Sequence, residues 1–539
     1  MANTKSSFER IALNRVTFGA RDVEVTNLQR EGWSAWVERQ LLPPQGDDPA
    51  LAAHIKSQVL HIQYDAFDDN LTNYHWKAVN EDRPLNYLSA TPEQIWKTCI
   101  SIPWTLSFSE DARMWMEFVS GVYIRNAHSA YQLREFMADF WLNHFSIGYA
   151  KGRSVYGPAI VYDRDVIRPN VFGNFRTLLE AVTASTSMLN YLDNAGSTAA
   201  IPNENYAREL MELHTMGRDA YFGKNPGGAD VSAKGFTDED ILQASRALSG
   251  WTIGRGQTNI LPGVAASSGV IIFPDDGQFV FNPGQHNDKA GRFLGFDLSA
   301  YSGIAQGRKV LDIISNHAAT APFICGKLCR RIFGDTPPQA VLDRAIATWI
   351  ANRNAPDQIA RVLRAILLEG PEIGTGPTVK VRRPYERFIA MVRATDTVLN
   401  ASMLWPNMFQ TLQDSPLIWP TPDGRPDTNA FWLTTYVNVT VRDQLQQITP
   451  DPGVLPAPQV VSIYAQTPTA ARQSVTAIVD YWVERLVGGL LSDEAMQALY
   501  AYAGQRGVPT ENYWWAYWEA DFVREIITTI ASSPEFVMR

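Results

Sequence analysis

PNENYARELMELHTMG, residues 202–217, spells a helix with two chemically different faces, and the rest of the chain is read outward from it. Pro202 or Asn203 starts the helix, Glu204 places an anion in the first turn where the helix dipole favours one, and Gly217 ends it. At 3.6 residues per turn, Tyr206, Leu210 and Leu213 form an apolar stripe. Asn205, Glu209 and Glu212 form a second stripe about 100° away. Arg208 lies between the carboxylates and reaches Glu204 or Glu212 at four-residue spacing. One reading is a solvated, ion-paired helix surface, each pair worth roughly a few tenths of a kcal/mol. The other is a stripe facing an enclosed cleft, where burial and a neighbouring guanidinium push the two carboxyl pKa values apart.

Helical periodicity recurs on both sides. Residues 8–42 read as two short helices separated by Phe18–Asp22, and 93–145 turn helical again. That run culminates in LREFMADFWLNHFSI, where Leu133, Phe136, Met137, Phe140, Trp141 and His144 share one broad face and Glu135, Asp139 and Asn143 form a polar stripe. A helix is expected at 176–192, and another after Thr237, which with Asp240 makes an imperfect capping box. Residues 302–400 break into short helical units at 309–317, 321–333, 338–351, 358–368 and 384–399, whose brief connections favour antiparallel packing. Further helices are expected near 430–447 and over 470–536. Residues 148–174, without period, read as a long surface loop. GVIIF (269–273) and GQFVF (277–281) flank the turn sequence Pro274–Gly277, which predicts a β-hairpin. The expected architecture is mainly α: one large multi-helix domain over 1–539 with a small β-hairpin insertion at 252–295. Residues 43–92 form an insertion or lid, and 401–467 an irregular Pro-rich segment.

Composition narrows the function. The net charge of −9 and the lack of clustered Lys and Arg argue against nucleic acid and anionic membrane surfaces. No apolar run reaches the length of a membrane span, and the first 20 residues show no signal-peptide core, so a cytoplasmic protein is expected from the sequence as written, or an exported one if its signal is missing. Cys99, Cys325 and Cys329 cannot make a disulfide framework and read as core thiols. The aromatic run Tyr513–Trp518 suggests either core packing or a sugar-stacking platform. Neither a P-loop, a dinucleotide fingerprint, a GxSxG elbow nor HExxH occurs.

Several stretches in order resemble one bacterial family, domain of unknown function 1800, over nearly the whole chain: LNRVTFGA with GWSAWVERQL, REFMADFWLNHF, ENYARELMELHTMG, DEDILQASRALSGW, the HND element, HAATAPFICGKLCRRIF, RRPYERFIAMVRAT and WPTPDGRPDTNAFWL. The resemblance implies a mostly helical fold. It also places His144, His214, His286 and His317 inside family motifs and leaves His54, His61, His75 and His128 outside them. The family usually shows His-Asp where this chain has His286-Asn287, with Asp288 a possible substitute, and usually Lys where it has Arg292. Members are often exported and often encoded beside a protein resembling the alkaline phosphatase superfamily, which implies such a partner.

The residues permit three functions. The first is an enzyme whose cleft uses Glu209 and Glu212 for proton transfer and Arg208 to stabilise developing negative charge. Asn205, Asn143, Asp139 and Arg134 would bind substrate, and a glycan or other bulky molecule is the expected class. His144, His214 and His286 would bind a divalent transition metal or orient substrate. Glu209 and His214, five apart and about 140° around a regular helix, could not easily share one metal. A metal-dependent oxidoreductase on the same histidines is the second reading. The third is a non-catalytic binding or assembly protein, in which the polar stripes are buried networks that specify helix pairing.

Overall fold

The computed structural model describes residues 7–69, 74–101, 107–224, 231–260, 270–375, 379–447, 466–489, 491–505 and 515–539. Helices dominate, and the strands are two-stranded antiparallel pairs, so the protein is mainly α with small β insertions. One continuous cluster of buried apolar side chains runs from Ala12 to Val537. Two helices lie deepest in it. In Gln132–His144 the apolar positions Leu133, Phe136, Met137 and Trp141 are fully buried, and in Pro384–Ala394 every residue is buried. A helix buried on all sides should be apolar all round, yet these two carry Arg134, Glu135, Asp139, Arg383 at the N-cap, Glu386, Arg387 and Arg393 inside. Their charges must therefore find partners within the protein.

The chain departs from the sequence expectation where short turns replace long periods. Residues 8–42 form three helices, Phe8–Val16, Asp22–Glu31 and Trp33–Gln40, because Gly32 at φ 85° breaks the second from the third. The expected surface loop at 148–174 is instead a chain of short helical turns with Tyr156, Tyr162, Asp163 and Ile167 buried. The helix expected at 176–192 divides into Phe175–Thr183 and Thr186–Tyr191, where Ser185 accepts a hydrogen bond from the Met188 amide and caps the second piece. Thr237 and Asp240 do form a capping box on Asp238–Ala247.

The hairpin is built differently from the expected one. Val270–Ile272 and Phe279–Phe281 do not pair with each other; they return antiparallel to Thr258–Ile260 and Trp251–Ile253 respectively. The Pro274–Gly277 turn is thus a kink in one arm of a longer ribbon, where the Gly254 amide donates to Gln278 O at 2.8 Å and the Gly256 amide to Pro274 O at 3.1 Å. Residues 43–92 hold the Pro49–Lys56 helix and two further antiparallel pairs. There His61 Nδ1 pairs with Asp82 at 2.8 Å, and His75 pairs with Asp68. The side chains of the Tyr513–Trp518 run lie outside the described residues.

Candidate functional site

The Glu204–Glu212 helix is capped by Asn203, whose side-chain oxygen accepts from the Tyr206 amide at 2.9 Å, and its apolar stripe is buried as the spacing requires. It ends sooner than Gly217. After Glu212 the turns widen: the His214 amide donates to Glu209 O at 3.2 Å and the Met216 amide to Met211 O at 2.8 Å, five-residue steps in place of four. The widening swings His214 off the helical path and into the core, where it is 1 % exposed. Gly217, at φ 90° and ψ 153°, then turns the chain away; a Cβ there would lie 2.7 Å from the Phe323 ring.

That early end opens a cleft of about 600 Å³ between residues 212–220, the 319–330 face of the Thr320–Phe333 helix and Asp423. Glu212 sits on its wall with Arg208 Nη1 at 3.3 Å and Arg218 Nε at 3.9 Å. Glu209 lies one turn behind, half-buried, with one carboxylate oxygen buried and unpartnered among the described residues. Burial, then the Glu212 charge, raises the Glu209 carboxyl above its ordinary range; the Arg218 and Arg208 cations only partly offset this, and Asp423 adds to it. Across the cleft Lys327 is half-buried, its ammonium 5.5 Å from the centre of the Phe323 ring, and among the described residues it has no ion-pair partner. Burial pulls this ammonium down to about 8, with Arg330 pushing the same way and Asp427 and Asp423 opposing. Arg208 is already engaged, with Asp238 at 3.2 Å and the Tyr221 ring beneath it at 5.0 Å, so it holds Glu212 and Asp238 in place.

The three histidines do not converge. His144 Nε2 donates to the backbone carbonyl of His214 at 3.1 Å, and the two ring centroids are 6.3 Å apart. Burial, then the Lys327 charge, pushes His144 well below the usual imidazole range and His214 down to about 3, so both are neutral, and each keeps one buried nitrogen unpartnered among the described residues. His286 sits elsewhere, beneath the β-ribbon, with Nδ1 at 2.9 Å from Ser249 O and Nε2 at 3.2 Å from Gln306 Oε1. Gln306 donates its own amide hydrogens to backbone carbonyls of Tyr301, Leu298 and Asp288, so its oxygen faces His286 as an acceptor. Both imidazole nitrogens of His286 are thereby directed at acceptors. Among the described residues no three His, Cys, Asp or Glu side chains are grouped to hold a metal ion.

Of the residues expected to bind substrate, the structure ties three into hydrogen-bonded networks of the fold. Asp139 accepts from Arg331 at 2.9 Å, Arg383 at 2.5 Å and Arg425 at 3.0 Å. Burial alone would raise its carboxyl, but Arg383, Arg425 and Arg331 together hold it below the ordinary range. Arg134 donates to Glu135 at 3.1 Å and to the carbonyls of Pro44 and Gly46, and is 4 % exposed. Asn143 exchanges hydrogen bonds with the Arg425 backbone, donating at 3.1 Å and accepting at 2.8 Å. This clasp needs Gly424, since a Cβ there would lie 2.2 Å from Asn143 O. Asn205 is exposed and lines no part of the cleft.

Lys327, Arg330 and Asp423 also line the cleft and are not among the residues expected from the sequence. Lys327 borders the apolar arc of Ile324, Cys325, Leu328 and Cys329 and lies one turn from both Phe323 and Arg331, and that position was its signal. The family model described as Protein of unknown function (DUF1800) matches residues 11–538, and the chain belongs to that family. No curated protein and no solved structure matches it.

Proposed function

We propose that the protein is an enzyme and that the cleft at the end of the Glu204–Glu212 helix performs acid–base chemistry on a bulky polar substrate, with a glycan as the favoured class. One observation supports this reading above the rest: an ammonium that holds its proton less tightly than usual lines one open cleft, and a carboxyl that holds its proton more tightly lies one turn behind Glu212 on the opposite wall. Such a pair shifts a carboxyl toward holding its proton and an ammonium toward releasing one, whereas an ordinary Glu and Lys lie far apart in proton affinity. Glu209 is the donor and the neutral form of Lys327 the acceptor. Burial, and then the charge of Glu212 held by Arg208, raise the proton affinity of Glu209. Phe323 gives the wall an apolar face against which a sugar ring could lie.

The test has two arms. Competitive acetylation of the intact protein across pH 6–11 should give Lys327 a midpoint near 8; a midpoint near about 10.4, the ordinary lysine value, removes the base. Oligosaccharides are then screened with wild type and Glu209→Gln. Turnover in the wild type that falls at least about 10²-fold in the variant, with unchanged melting, fits the role; equal turnover rejects it.

A further inference from the structure

Asp423 faces Lys327 across the cleft, and the loop that carries it is fixed. Trp419 Nε1 donates to Thr421 Oγ1 at 2.8 Å, and Thr421 Oγ1 donates on to Asp423 Oδ1 at 2.5 Å. Gly424 follows at φ 75°, pressed against Asn143. This relay occupies one carboxylate oxygen. The other, Oδ2, has no hydrogen-bond partner among the described residues, and Asp423 is exposed on the cleft wall. On the facing helix Arg330 is half-buried, and its guanidinium has neither an ion-pair nor a hydrogen-bond partner among the described residues. The Phe323 ring lies on the same wall, 5.5 Å from the Lys327 ammonium. Of the other charges, Glu212 is held by Arg208 and Arg218, and the exposed rim adds one of each sign, Asp219 and Lys234.

A carboxylate and a guanidinium pair when their side chains meet. Here the walls of one cleft hold them apart, so an acceptor on one side and donors on the other stay open to what lies between them. A group bound there must donate to Asp423 and accept from Arg330. Charge decides which groups qualify: a carboxylate gains at Arg330 and loses at Asp423, and an ammonium does the reverse. A hydroxyl both donates and accepts without charge, and neighbouring hydroxyls on a ring serve both walls at once. A zwitterion also matches the two walls, but it brings no ring to the face of Phe323. We propose that Asp423 sets the specificity of the cleft by accepting hydroxyl hydrogens from a neutral sugar ring that lies against Phe323, so that uncharged sugars are taken in preference to acidic ones. The inference rests on the glycan reading of the cleft and narrows it.

The experiment titrates the full chain with glucose, glucuronate and glycine by ligand-observed NMR, and repeats the series in Asp423→Asn, which keeps the shape of an exposed side chain and one accepting oxygen. Wild type should bind glucose at least about tenfold more tightly than glucuronate. The variant should lose about tenfold for glucose, the worth of one hydrogen bond to a charged group, and gain for glucuronate, so that the order of the two sugars reverses. A purely structural Asp423 weakens both sugars alike, and that result overturns the proposal. Wild-type affinity for glucuronate equal to that for glucose, or tighter binding of glycine, overturns it too. If no sugar binds while Lys327 still titrates near 8, the glycan class falls and this inference with it, whereas the proton-transfer pair stands. Crystals soaked in glucose should place adjacent hydroxyls on Asp423 Oδ2. A sugar seated in the cleft away from that oxygen overturns the proposal and keeps the glycan reading.

Discussion

Asp139→Asn separates a structural role for this residue from a substrate-binding one. The substitution keeps the shape of the side chain and one accepting oxygen but removes the charge on which Arg331, Arg383 and Arg425 converge at 2.5–3.0 Å. Breaking a buried ion pair from one side costs about 3–5 kcal/mol, because the partner charges stay buried. Unfolding entropy near 60 °C is about 2.1 cal/mol/K per residue, which over 539 residues converts that loss into a drop of about 3–4 °C in Tm. The effect carries a pH signature. A carboxyl held below its unfolded value of about 3.9 adds stability that is complete above that value and vanishes as pH falls through the folded pKa. The gap between wild type and variant should thus be full at pH 7 and close below about pH 4. Calorimetry across that range measures it, with Asp219→Asn on the exposed cleft rim as a control expected within about 0.5 kcal/mol of wild type. If Asp139→Asn melted with the wild type and lost ligand binding, Asp139 would be a substrate group and the structural account would fail.

Other expectations follow from single groups. His214 is held near 3 and His128 near 4 in the fold, against about 6.5 when unfolded, so stability is full above about pH 6.5 and declines as the unfolded state takes up protons below it. His214→Gln should flatten that decline, and an unchanged slope in urea melts between pH 6.5 and 4 would count against burial as its cause. Gly217→Ala forces a side chain into a backbone region essentially reserved for glycine and against Phe323; a loss of about 1–3 kcal/mol is expected, and a neutral result would mean the cleft wall yields freely. Arg208→Gln should cost under about 1 kcal/mol, since the guanidinium is a third exposed and solvent screens its pairs; a larger loss in denaturant titrations would show the pair is shielded.

Long periods were legible and short ones were not. The Tyr206, Leu210 and Leu213 stripe and the broad apolar face of Gln132–His144 are set by side chains recurring over three turns, and both are buried as read. The buried turns of 148–174 last only three to six residues each, too few for a period to register. The β-ribbon was half legible: Val270–Ile272 and Phe279–Phe281 were read as strands, but their partners Trp251–Ile253 and Thr258–Ile260 were not, because pairing depends on partners across a connection, which local pattern does not encode. For the candidate site, helical spacing puts Glu209 and Glu212 on one stripe, of which Glu212 lines the cleft. Asp139 was visible as a polar residue on a buried helix, but its three guanidiniums come from residues 331, 383 and 425, and no local window contains them. His214 was misplaced because the angular argument assumed a regular helix past Glu212.

The structural and catalytic readings of the polar stripes meet on one helix. Thr320–Phe333 presents Lys327 and Arg330 to the cleft, and one turn on from Lys327 it sends Arg331 into the Asp139 node. Residues four apart on a helix move together, so whatever fixes Arg331 also fixes how deeply Lys327 sits. Burial is the largest cause of the depressed Lys327 ammonium, which makes its proton affinity a property of the packing around it. The buried ion node then acts as the support of the cleft, and Asp427, opposed to Lys327 and paired with Lys380, belongs to both. Loosening the node at Asp139 should therefore let water reach Lys327 and return its titration toward the ordinary lysine range, a shift the same acetylation profile reads in Asp139→Asn. A Lys327 midpoint left near 8 in that variant would mean that the cleft and the node are independent.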